Sequence, residues 1–170
     1  MKAEFAVSPR SGNSNYSWFQ FATHEGIEFE LNRIALRTDN KSRFAFNVQY
    51  PLFNEFEAFP ALSVGVRDIL GTGVERRSFY VAASKGLLLS SRQQKIFREL
   101  RLNAGVGTGP LDGIFLGAQA RFGTRIYLNA EWFRNKPNIG LSLALARNWQ
   151  ARASSLDGEL FYGLTYNLMR

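Results

Sequence analysis

Apolar side chains recur at every second position from Ile126 to Leu145, and that alternation limits the possible folds more than any other feature. Ile126, Leu128, Ala130 and Trp132 alternate with Arg125, Tyr127, Asn129, Glu131 and Phe133. After Arg134-Asn135-Lys136-Pro137 the pattern resumes, with Ile139, Leu141, Leu143 and Leu145 set against Gly140, Ser142, Ala144 and Ala146. Sustained period two describes a strand with one apolar face. The length matches what a strand tilted across a bilayer needs, about 9–11 residues.

The same pattern runs through most of the chain. Tyr16–Thr23 and Ile27–Leu36 form a pair around His24-Glu25-Gly26. Arg43–Tyr50, Ala61–Arg67, Ser78–Gly86, Glu99–Gly107 and Gly113–Phe122 follow, and Glu159–Leu168 closes the series. These segments predict an all-β fold: a closed antiparallel transmembrane β-barrel of about ten strands, with a lumen filled by side chains. Twelve strands are possible if another hides near Leu87–Ser91. Residues 1–15 read as an extended segment or plug, with Ala3–Ser8 a short strand or extended segment and a turn cluster at Ser11–Asn15, and residues 16–170 as one barrel domain. Trp149–Asp157 reads as a polar loop. It falls at the same end as the connections Pro51–Pro60 and Leu87–Phe97, opposite the turns Thr38–Lys41, Thr108–Asp112 and Arg134–Pro137.

Alternation alone does not say which face is wet, so a soluble barrel with an apolar ligand inside is the competing architecture. Composition favours the membrane. The polar positions are rich in Gly, Ala, Ser and Asn, and Tyr50, Trp132, Trp149 and Tyr166 occupy apolar positions near strand ends, where interfacial girdles sit. No apolar run approaches the ~18 residues of a spanning helix. The absence of cysteine excludes thiol chemistry and disulfides. The net charge of +7 fits anionic partners such as lipid head groups, acidic polysaccharide or lipopolysaccharide. Its spread along strands argues against nucleic acid. No cleavable signal precedes Phe5-Ala6-Val7, so the chain reads as a mature form.

Phe59-Pro60-Ala61-Leu62-Ser63-Val64-Gly65-Val66-Arg67-Asp68-Ile69, then Gly71-Thr72-Gly73 and Phe79-Tyr80-Val81-Ala82-Ala83-Ser84-Lys85, resembles the YjbH-like outer-membrane family. Pro60, Gly65, Arg67, Asp68, Gly71, Gly73, Ser84 and Lys85 carry the motif, and Gly105-Val106-Gly107-Thr108-Gly109 is similar to the family's next glycine-rich strand end. The resemblance implies a bacterial outer-membrane barrel, non-enzymatic and exopolysaccharide-associated. Gly163, Tyr166 and Leu168 also resemble the C-terminal signal read by the outer-membrane assembly machinery.

Chemistry-bearing clusters are sparse. His24, the single histidine, is the one candidate centre for a lipid-modifying enzyme, yet it lies in a turn. No cofactor or metal ligand set is evident. The glycine runs at 71–73 and 105–109 lack the Gly-Lys-Ser/Thr ending of a phosphate loop. Arg67 reads as a lumen cation balancing a glutamate, and Asp68 as the cap of the turn that follows. Register places Glu99, Arg121 and Arg125 in one lumen row, if loop 122–124 joins its strands directly. Arg101, Glu131, Arg67, Glu28 and Glu30 complete the expected lumen charge network. The sequence therefore predicts a small non-enzymatic outer-membrane barrel with a structural or exopolysaccharide-export role.

Overall fold

The computed structural model describes residues 2–8, 15–36, 41–73, 76–91, 93–133, 135–156 and 158–168. Of the turn clusters expected at Ser11–Asn15 and Thr38–Lys41, residues 11–14 and 38–40 lie outside these residues, while Asn15 opens β2 and Lys41 opens β4. Twelve strands form one closed barrel in which every neighbouring pair is antiparallel. They are β1 (Lys2–Val7), β2 (Asn15–Ala22), β3 (Glu28–Leu36), β4 (Lys41–Phe53), β5 (Ala61–Arg67) and β6 (Ser78–Gly86). The circuit continues with β7 (Phe97–Gly107), β8 (Gly113–Phe122), β9 (Ile126–Phe133), β10 (Lys136–Ala144), β11 (Trp149–Leu156) and β12 (Glu159–Asn167). β1 pairs with both β2 and β12 and closes the sheet.

The two strands beyond ten lie at the N-terminal segment, where a short strand is one of the sequence readings, and after Trp149, where none is expected. The expected extended segment or plug is the wall strand β1, and the expected polar loop after Trp149 is β11. Leu87–Ser91 contributes none. β1 is only six residues long, which gives its alternation few repeats. β11 presents Ala151, Ala153 and Ser155 on its outer face, so its apolar side carries little hydrophobic signal.

The polarity of the barrel is the inverse of a soluble one. Among the described residues, only Ala6 and Leu111 are buried apolar side chains, whereas Glu4, Asn47, Ser142, Ser154 and Thr165 are buried polar ones on strands. Phe19, Leu31, Phe44, Leu102, Leu116, Leu141 and Leu164 are exposed on the outer face. An apolar belt around a polar interior suits lipid outside. Tyr50, Trp132 and Trp149 stand half exposed on that belt near strand ends, and Trp149 packs against Tyr166 at 4.9 Å.

Both ends of the strand circuit, at Lys2 and Asn167, lie at one rim, here the first. That rim also carries the connections 23–27, 54–60, 87–96, 123–125 and 145–148. The second rim carries 68–77, 108–112 and the short turns after β9 and β11. Long connections therefore occur at both ends.

Two registers differ from expectation by two residues. Arg121 pairs with Tyr127 across β8–β9, so the turn is 123–125 and Arg125 lies within it. Tyr127 pairs with Ser142 rather than Ala144 across β9–β10. An even shift keeps every side chain on its expected face. Glu99 opposite Arg121 is as expected.

Candidate functional site

The lumen is built of two unlike walls. On the β11–β12–β1–β2 side, the Glu4 carboxylate is fully buried and accepts three hydrogen bonds. Tyr16 Oη donates at 2.5 Å, and Arg152 Nη1 and Thr165 Oγ1 each at 3.0 Å. Four strands are thus tied at the seam where the chain's two ends meet. Trp18 and Phe161 fill the space beside it, with Phe161 edge-on to Tyr16 at 5.4 Å. Arg152 Nε is buried there without a partner.

The β7–β10 wall is shallow. Gly105, Gly107, Gly117, Gly140 and Ser142 alternate there with Asn103, Gln119, Asn129, Glu131 and Asn138. Gln119 and Glu131 point inward yet stay exposed, so solvent reaches this wall from inside. Arg121 stands over the Tyr127 ring at 5.3 Å, and its buried Nε has no hydrogen-bond partner. A cation beside an aromatic face, in a row of amides, offers donors to carboxylate and hydroxyl groups.

Bulky side chains enter the lumen where facing glycines admit them. The Tyr80 ring covers Gly65, where an added Cβ would come within 2.3 Å of it, and Phe115 covers Gly105, where the approach would be 2.1 Å. Tyr80 then reaches Gln49 with a 2.9 Å hydrogen bond and meets Phe115 edge-on. The Gly65 of the sequence motif is therefore a close-approach glycine.

The remaining motif residues lock the two rims. At the second rim, buried Asp68 has a positive φ of 52°, and its carboxylate accepts from the Thr72 and Gly73 amides at 3.1 and 3.0 Å. Gly71 N–H donates to the Asp68 carbonyl, and Asn47 Oδ1 accepts from the Asp68 amide. At the first rim, Lys85 Nζ donates to the carbonyls of Phe56, Glu57 and Phe59, gripping the 54–60 loop that ends at Pro60. Glu55 from that loop accepts from Gly86 N–H at 2.9 Å and Arg101 Nη1 at 3.0 Å, and Arg101 also donates to Ser84 Oγ. The Gly86 amide, with the Arg101 and Lys85 charges behind it, holds the Glu55 carboxyl below its ordinary value.

The expected lumen charge network is dispersed. Glu99 pairs with Arg101 at 3.7 Å, and no ion pair joins Glu99 to Arg121 among the described residues. Arg125 is exposed in a turn. Glu28 accepts from Gln20, and Glu30 accepts from Asn32 and Asn47. Arg67 is exposed at the second rim, with no ion pair to a lumen glutamate among the described residues. The tight contacts belong instead to Glu4, Arg152, Thr165 and Glu55, which sequence reasoning missed. Glu4 and Arg152 sit on the two strands left out of the ten-strand count, and Glu55 sits in a loop, where periodicity is silent.

His24 lies exposed in the 23–27 turn. Among the described residues no group of three or more His, Cys, Asp or Glu could hold a metal. Gly163 packs tightly on β1, while Tyr166 and Leu168 lie on the outer side of the last strand segment.

Three comparisons bear on this architecture. The signature of the YjbH family, described as exopolysaccharide biosynthesis protein YbjH, matches residues 34–140, more than half of the chain. Two solved structures share the fold. One is a KdgM porin (TM-score 0.61, 11% identity), and the other is a KdgM porin in complex with disordered oligogalacturonate (TM-score 0.63, 10% identity). Each covers 99% of this chain and 98% of its own. No curated protein sequence matches.

Proposed function

This chain belongs to the YjbH family, and from that premise we propose that it is an outer-membrane barrel that holds an exopolysaccharide strand in its lumen without chemically altering it. The observation that carries this reading is the solvent-reached β7–β10 wall, an inward row of amides and glycines with one glutamate, Glu131, and an arginine, Arg121, that has no ion pair among the described residues. Amide side chains carry donors and acceptors together, as sugar hydroxyls do. Arg121 over Tyr127 supplies a place for a uronate carboxylate against a ring face. That a KdgM porin of the same fold was solved in complex with disordered oligogalacturonate, an acidic glycan, supports the reading. The partners follow from position: outer-membrane lipids, including lipopolysaccharide, on the apolar belt, acidic polysaccharide inside, and the assembly machinery at Gly163, Tyr166 and Leu168.

Trp18 is the inward-facing tryptophan, while Trp132 and Trp149 face lipid. A Trp132→Phe/Trp149→Phe protein therefore reports on the lumen by fluorescence. Acidic exopolysaccharide fragments should change Trp18 emission saturably, and Arg121→Gln should weaken that response about tenfold or more, as befits a lost charge-assisted contact. No response to any glycan would refute the reading.

A further inference from the structure

A second site lies outside the lumen, at the first rim, where the 87–96 connection meets the 123–125 turn. A cavity of about 390 Å³ there is lined by Ser91, Gln94, Lys95, Ile96, Arg98 and Gly123. Its charge is of one sign. Lys95 and Arg98 line it, Arg125 sits two residues from Gly123, and no lining residue is acidic. None of these three cations has an ion pair or side-chain hydrogen bond among the described residues. Glu99, the adjoining acid, faces the lumen and pairs with Arg101.

The placement is set by a bulge. Phe97 and Arg98 together oppose Phe122, after which Glu99 resumes the regular ladder opposite Arg121. Phe97 and Phe122 pack on the outer face at 4.9 Å, and Arg98 emerges beside them at the top of the apolar belt. The loop above is tied by its own bonds. The Ser90 amide and hydroxyl both donate to Gln93 Oε1, and the Gln94 side chain donates to the Leu89 carbonyl. Ile96, one of the lining residues, is 59% exposed, so the cavity has an apolar edge as well as cations.

We propose that this cavity seats the phosphate-bearing head group of an anionic membrane lipid, with Lys95 and Arg98 on the phosphate and Ile96 against the acyl chains. Cations that merely reach up to water need no cavity between them. A free phosphate would have no use for the apolar edge.

The test is native mass spectrometry of the full chain in dodecylmaltoside, titrated with phosphatidylglycerol or phosphatidylcholine of matched chains. Phosphatidylglycerol adducts should dominate. At about fivefold per cation, Lys95→Gln and Arg98→Gln should each weaken them by that factor, and the double variant roughly 25-fold. Ile96→Ser should weaken them too. The mobility of unboiled samples on gels checks that each variant is folded. Equal retention of phosphatidylcholine, or full retention of phosphatidylglycerol by the folded variants, overturns the proposal. So does inorganic phosphate that binds as tightly as the lipid and is indifferent to Ile96→Ser, because the site would then be one for free phosphate.

Discussion

Replacing Glu4 by alanine should be among the most damaging single changes in the barrel. Its carboxylate is fully buried and serves Tyr16, Arg152 and Thr165, on β2, β11 and β12. Removing it strands the Arg152 guanidinium, whose Nε already lacks a partner among the described residues, and takes away the acceptor of the Tyr16 and Thr165 hydroxyls. Breaking a buried pair from one side costs about 3–5 kcal/mol. Arg152 keeps 25% of its side chain in contact with solvent, so the lower end, about 3 kcal/mol, is expected. The Glu4→Ala/Arg152→Ala protein should lose less than the two single losses combined, by about 1–3 kcal/mol, because no charge is left stranded. Urea titration in lipid vesicles, followed by tryptophan emission, measures each value. Glu99, paired among the described residues with Arg101 alone and 55% exposed, is the comparison, and Glu99→Ala should cost no more than about 1 kcal/mol. Equal losses for Glu4→Ala and Glu99→Ala, or strict additivity with Arg152→Ala, would refute the idea that this cluster closes the barrel.

Other changes probe other parts of the molecule. Leu141→Arg, on the lipid face, should cost about 2–4 kcal/mol by vesicle refolding, whereas Gln119→Arg on the open lumen wall should cost little. Gly65→Ala should drive the Tyr80 ring off its seat and break its bond to Gln49, lowering stability, and Gly65→Ala/Tyr80→Ala should recover part of the loss. The Glu55 carboxyl titrates below its free value, so its hold on the 54–60 loop is complete above the ordinary glutamate pKa of about 4.3. That hold is lost as pH falls through the depressed native value. Proteolysis within 54–60 should accordingly rise in that acid window for the wild type, and Glu55→Gln should show no such pH step.

Much of this architecture was legible because a membrane barrel writes its two faces into alternate residues. The stretch from Ile126 to Leu145 lies in β9, β10 and the turn that follows, with Leu128 and Leu141 paired on the lipid side and Tyr127 and Ser142 paired inside. The motif run from Pro60 to Lys85 could be located by type as well. Asp68 does hold the Thr72 and Gly73 amides, whereas the place of Gly65 beneath the Tyr80 ring emerged only from the structure. Strand number was harder. Ala151 and Ala153 suffice on an outer face, but they leave β11 looking like loop, and β1 is too short to establish a period.

What alternation does not encode is the position of each strand along its neighbour. A displacement of two residues leaves every side chain in its proper solvent, so hydrophobic patterning is indifferent to it. In this barrel that freedom moved Arg125 out of the expected charge row into the 123–125 turn and set Tyr127 opposite Arg121. Like-charge repulsion gives a reason for the outcome. Two arginines directly opposite would destabilise the ladder, while an arginine over a tyrosine ring gains a favourable contact. The same shift leaves Arg121 without a carboxylate partner among the described residues and Arg125 exposed in the 123–125 turn, two residues from the Gly123 that lines the outer cavity. Register, more than composition, has therefore distributed the cations between the lumen wall and the outer rim, and it is there that the glycan and lipid readings each make their stand.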